Sequence, residues 1–172
     1  MRHFDLKSVT ARGYRPSGLR GASSAKIPSM TTDGYFGVDG DERDAYLEAQ
    51  TPEALLQLGV DLYNAGHYWN AHEAWEQVWL DSERGMRAFY QGLIQVTAAF
   101  VHVTRNEFPG AIRLLDAGIE KLEKYPASFM GVRLGPLIDG AKVARSRLWA
   151  LGEARISEFD RGLIPRIEAD SA

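Results

Sequence analysis

The sequence predicts an all-α protein, a bundle of about five helices packed around a buried central helix. Three observations carry that reading. Apolar residues recur at three- and four-residue spacing in successive segments. Residues 88–104 contain no Asp, Glu, Lys or Arg and are apolar on every side of a helical wheel, as a helix buried all round would be. No alternating apolar–polar strand of useful length appears.

Taken in order, helix one begins at Thr51-Pro52, a capping hydroxyl followed by proline at the first helical position, where its missing N–H costs nothing. Leu55, Leu58 and Leu62 form its apolar stripe, and Asn64-Ala65-Gly66 supplies the stop. Helix two spans 67–80, free of Gly and Pro, and ends near Asp81-Ser82. The central helix spans 88–104, with Arg84 and Arg87 before it and Arg105-Asn106 after it marking where it reaches solvent. Helix four starts near Pro109, carries Ile112, Leu115, Ile119 and Leu122 on one face, and ends before Tyr125-Pro126, with Lys121 and Lys124 in its last turn. Residues 131–135 read as a loop, and Pro136 opens a fifth helix that runs to about Leu151. The 152–172 tail is short, mixed and interrupted by Pro165, and gives no firm pattern.

The first fifty residues stand apart as an extension. In 1–30 the basic residues Arg2, Lys7, Arg12, Arg15, Arg20 and Lys26 face a single acid, Asp5. In 31–50 Asp33, Asp39, Asp41, Glu42, Asp44 and Glu48 face Arg43 alone. Such a basic arm followed by an acidic stretch can pair with itself or with the domain, or serve as a partner-binding or targeting tail. The bundle domain is therefore residues 51–151, within the usual domain size.

Composition bounds the chemistry. The 172 residues are 45% hydrophobic and 25% charged, the ordinary balance of a soluble globular domain. A formal charge of −3 offers no global attraction for nucleic acid or an anionic membrane. The absence of cysteine removes disulfides, cysteine nucleophiles and thiolate zinc sites together and fits a reducing, cytoplasmic setting. The uncharged run approaches the length of a membrane span, but Gln91, Gln95, Thr97, His102 and Thr104 argue against one.

Helix two holds the informative residues. At about 100° per residue, His72, Glu76 and Trp79 fall on one stripe, and no Lys or Arg lies between His67 and Ser82 to neutralise Glu73 or Glu76. The central helix carries a matching polar stripe of Gln91, Gln95 and His102. Burying such groups without partners costs about 1–3 kcal/mol each, so the two stripes are expected to face one another or a wet cavity.

Three chemistries fit that convergence. His72, Glu76 and His102 could hold a divalent metal such as zinc, iron, manganese or nickel, with Gln95 or Gln91 auxiliary, positions left open for water, and Glu73 as base for hydrolysis. The same groups could form a satisfied, inert hydrogen-bond network. His72 and Glu76 could also act as a metal-free acid/base pair beside a small cleft. His67 reads as exposed, His3 lies in the arm, and Trp69, Trp75 and Trp79 read as core anchors, with Trp79 also edging the pocket.

The run from Tyr63 through His72-Glu73-Ala74-Trp75-Glu76-Gln77-Val78-Trp79, then Tyr90-Gln91-Gly92-Leu93-Ile94-Gln95 with His102, then Gly110-Ala111 with Leu114-Leu115, resembles the bacterial and archaeal domain-of-unknown-function family three-zero-nine. The resemblance covers about 52–125, with weaker similarity toward Ala150. Its His-x-x-x-Glu-x-x-Trp signature is occupied by His72, Glu76 and Trp79. It implies a multihelical bundle and a suspected metal site, and no established reaction, so the partner stays an unknown small molecule or protein and homo-oligomers stay open.

A second resemblance, to tetratricopeptide helix pairs, rests on Leu58-Gly59, Tyr63, Gly66, Ala71 and Ala74 and later Phe108, Ala111 and Tyr125-Pro126. It implies a protein-interaction module. Ala71 and Ala111 lie 40 apart, against the about 34 such a repeat requires.

Overall fold

The computed structural model describes residues 46–170, and the expectations for the arm lie largely outside them. Five α-helices follow one another: α1 (Pro52–Asn64), α2 (Tyr68–Asp81), α3 (Arg84–Thr104), α4 (Phe108–Leu122) and α5 (Leu134–Leu151). Each packs chiefly on its neighbours in sequence, α1 on α2, α2 on α3, α3 on α4 and α4 on α5. The all-α bundle expected from the sequence is therefore the fold. No helix among the described residues is long and apolar enough to cross a membrane.

The capping logic holds at α1, where the Thr51 hydroxyl accepts from the Ala54 N–H at 3.2 Å and Pro52 occupies the first turn. Gly66, at φ 86°, takes the left-handed conformation that ends the hairpin with α2. Trp75 of α2 is wholly buried, and its indole N–H donates to the Leu56 carbonyl at 3.2 Å. Gly59 makes room for it, because a Cβ there would stand 2.1 Å from the indole nitrogen.

α3 sits between α2 and α4. Phe89, Leu93, Val96, Ala99, Phe100 and Val103 are buried. The expectation of burial all round is corrected: Gln91, Ile94, Gln95, Ala98 and His102 form a half-buried stripe. A helix flanked by two neighbours covers two sides, and this polar stripe takes the third. α3 also starts four residues before the uncharged run, so Arg84 and Arg87 belong to it.

After α4 the chain makes a small hairpin rather than a plain loop. β1 (Ser128–Phe129) pairs antiparallel with β2 (Val132–Arg133), through Met130 at φ 53° and Gly131 at φ 79°. Positive φ at both central residues matches the twist of paired strands. Two-residue strands are too short to show alternation in sequence. Their pairing places Leu134 at the start of α5, two residues before the expected Pro136.

Residues 152–170 pack onto the bundle. Short 3₁₀ turns at Glu153–Glu158 and Arg161–Leu163 are followed by a bridge between Val132 and Ala169. Ile156, Phe159 and Ile167 are buried. Asn64, at the end of α1, clamps the Ile167 backbone from both sides: its amide donates to the Ile167 carbonyl at 2.8 Å and its side-chain oxygen accepts from the Ile167 N–H at 2.9 Å. At the other boundary, Leu47 is buried in the same core.

Candidate functional site on the α2 and α3 stripes

α2 buries Asn70, Ala71, Ala74, Trp75 and Val78, which leaves Trp69, His72, Glu76 and Trp79 along its outer edge. Two cations of α3 fix that edge against α3. The Arg87 guanidinium lies 4.5 Å from the ring centre of Trp79, and that of Arg105 lies 5.6 Å from the ring centre of Trp69. The helices run antiparallel, and the His72/Glu76 stripe and the Gln91/Gln95 stripe both lie between the levels of the two arginines. At 1.5 Å per residue the two arginines bracket a stretch of this edge about 27 Å long.

His72 lies within it with only 17% of its side chain exposed, stacked on Trp69 at 5.4 Å between ring centres. Its Nε2 stands 3.6 Å from Glu76 Oε1, within ion-pair reach and beyond a good hydrogen bond. Burial pushes the His72 pKa down, opposed in part by the Glu76 carboxylate. The imidazole is thus neutral near neutral pH. In the tautomer protonated at Nε2, the nitrogen on the carboxylate side, Nδ1 is an acceptor.

That Nδ1 is buried and has no hydrogen-bond partner among the described residues. The same holds for Gln95 Oε1 on α3 and for the Trp79 indole N–H. Gln91, one turn from Gln95, and Glu73, next to His72, are half-buried.

His102 is engaged elsewhere. Its Nδ1 hydrogen-bonds the Glu107 carboxylate in the turn before α4, and its ring lies over Gly110, where a Cβ would come within 2.6 Å of it. The structure therefore brings His72 and Glu76 together and places His102 in a separate pair. Among the described residues, no group of three or more His, Asp or Glu side chains stands close enough to hold a metal ion.

The motifs, their spacing and the fold they occupy agree with a comparison against protein families. Residues 56–114 match the model of the family described as Domain of unknown function (DUF309). This bears out the resemblance drawn from His72, Glu76 and Trp79. The DUF309 segment starts within α1 and ends within α4, so it contains all of α2 and α3 and both arginines that rest on the α2 tryptophans. No curated protein matches the chain.

The tryptophans are the main correction to the sequence reading. Only Trp75 is a core anchor; Trp69 is 41% exposed and Trp79 half-buried, and both serve as platforms for arginines. Arg87 and Arg105 were legible only as helix-end markers. The signal that finds them is register, since antiparallel α2 and α3 joined by a two-residue turn set Arg87 opposite Trp79 and Arg105 opposite Trp69.

Proposed function

We propose that the DUF309 segment binds a small cation on the α2/α3 face, with His72 Nδ1 and Gln95 Oε1 as acceptors, Glu76 on the Nε2 side of the His72 ring as its orienting carboxylate, and Gln91 and Trp79 beside them. One observation supports this most: two buried acceptors, His72 Nδ1 on α2 and Gln95 Oε1 on α3, lie without partners among the described residues, and Glu76 stands at the other ring nitrogen of His72. A buried acceptor left unmade costs about 1–3 kcal/mol, a cost that a bound donor or metal removes. The arginines at the ends of this stretch rest on tryptophan faces, so the middle offers acceptors and negative charge rather than a cationic clamp.

A divalent metal and an organic ammonium share the chemistry of binding to acceptors. For a divalent ion, the neutral imidazole, carboxylate and amide oxygen suit zinc, iron, manganese or nickel, and water would complete the shell. In that case Glu73, the residue after His72, would supply the base for hydrolysis. His102 joins such a site only by leaving Glu107.

Calorimetric titration of the full chain with Zn²⁺, Mn²⁺ and butylammonium separates the sources. The reading expects at least one probe to bind, with affinity weakened at least about tenfold by His72→Phe and by Gln95→Leu. No heat from any probe at about 1 mM, or binding indifferent to both substitutions, overturns it.

A second reading, a helical-hairpin module for protein interaction, is favoured by the packing of each helix on its sequence neighbours. It predicts a partner whose capture survives His72→Phe.

A further inference from the structure

A second feature lies at the far end of α2, away from the His72 stripe. The end of α2, the start of α1, the start of α3 and residues 47–50 enclose a cleft of about 520 Å³. Its floor is apolar, formed by Leu55, Val78, Met86 and Met130, and its rim carries Glu48, Glu53, Asp81 and Glu83. Among the described residues none of these four carboxylates has an ion-pair partner.

Asp81 is the least expected of them. It occupies the last turn of α2, at the negative end of the helix dipole, and no basic residue shares that turn. Such an acid is locally unfavourable, so its placement makes sense where something cationic covers it.

The sequence supplies a cation. Residues 1–30 carry six Lys and Arg against one Asp, with scattered apolar residues such as Leu19 and Ile27 among them. They connect to the cleft directly, because Leu47 and Glu48 line it. The 20 residues from Lys26 to Tyr46 span up to about 70 Å when extended, so reach is no obstacle. Tethering raises the local concentration of the segment to about the millimolar range, and weak individual contacts suffice.

We propose that residues 1–30 of this chain dock in the cleft, with arginine and lysine on the carboxylate rim and an apolar side chain on its floor. The site is independent of the proposed cation site: a different cleft and a different set of acids. The arm thereby acts as an internal ligand, which an external basic-apolar peptide would have to displace.

Carbodiimide coupling, which joins amines to carboxylates in contact, tests this on the full chain. Lys7 and Lys26 are the only lysines before Lys121, so peptide mapping by mass spectrometry identifies their partners without ambiguity. The expected products, in monomeric protein, join Lys26 or Lys7 to Glu53, Asp81 or Glu83. Their yield through the remaining rim acid should fall about fivefold in the single variants Glu53→Gln and Asp81→Asn, and further at high salt. Both substituted positions are exposed, so the bundle is expected to keep its circular dichroism. Coupling of the lysines only to acids of residues 33–44 would mean that the arm pairs with its own acidic stretch. Coupling only within cross-linked dimers would mean that a second copy fills the cleft. Either result, or yields unaffected by the substitutions, overturns the proposal.

Discussion

Toward α4, α3 presents Gly92, which faces Gly118 so closely that a Cβ on Gly118 would meet the Val96 backbone nitrogen at 2.9 Å and the Gly92 carbonyl at 3.0 Å. On its third side the same helix presents Gln91 and Gln95, half-buried, with the Gln95 side-chain oxygen lacking a partner among the described residues. The first side is a sealed contact between backbones. The other carries partly exposed side chains, with the Trp79 and Trp69 rings under Arg87 and Arg105. The two sides of one helix thus differ in packing, and substitutions on each should behave differently.

The largest effect is expected on the sealed side. Gly118→Val forces two helices apart and should destabilise the protein by about 3 kcal/mol, read as a lower urea midpoint. A midpoint equal to the parent's would show that the crossing is not tight. Next comes the tail clamp: Asn64→Ala removes both bonds to Ile167 and should cost about 2 kcal/mol, with the Ile167 amide exchanging faster while α3 amides keep their relative protection.

The open side should reveal itself through pH rather than size. Burial lowers the His72 pKa, so between its folded value and the unfolded value of about 6.5 the unfolded chain binds more protons. The stabilisation from keeping His72 neutral is complete above about pH 6.5 and is lost as pH falls through that window. The drop in urea midpoint between about pH 7.5 and pH 5.5 should be smaller in His72→Gln. Identical drops in the two proteins would contradict the burial of the imidazole.

The smallest effect belongs to neither side. Arg145 bonds Asp116 through two nitrogens and lies 4.9 Å from the Trp149 ring centre, on an exposed face. Arg145→Ala should shift stability by no more than about 1 kcal/mol and leave binding to the α2/α3 face unchanged.

These contrasts also mark what the sequence discloses. The helices were legible because periodicity and caps act locally: Thr51-Pro52 and Gly66 do in the structure what their chemistry predicts. The His72/Glu76 pairing was legible for the same reason, since a four-residue spacing fixes it on one helix. His102 was not, because its orientation depends on Glu107 beyond the helix end and on the absence of a side chain at Gly110. The roles of Trp69 and Trp79 depend on the register between two helices, and the order in residues 152–170 depends on a clamp from Asn64, about a hundred residues earlier in the chain. Each of these is a long-range contact that composition and spacing do not encode.

Cation binding on this face depends on His72 Nδ1 being a free acceptor. Imidazole nitrogen NMR of the full chain, near neutral pH, reads it directly. The account predicts a neutral ring protonated at Nε2, whose Nδ1 resonance moves on addition of Zn²⁺ or butylammonium in the parent and not in Gln95→Leu. A ring protonated at Nδ1, or an Nδ1 resonance unmoved by every probe, would contradict it.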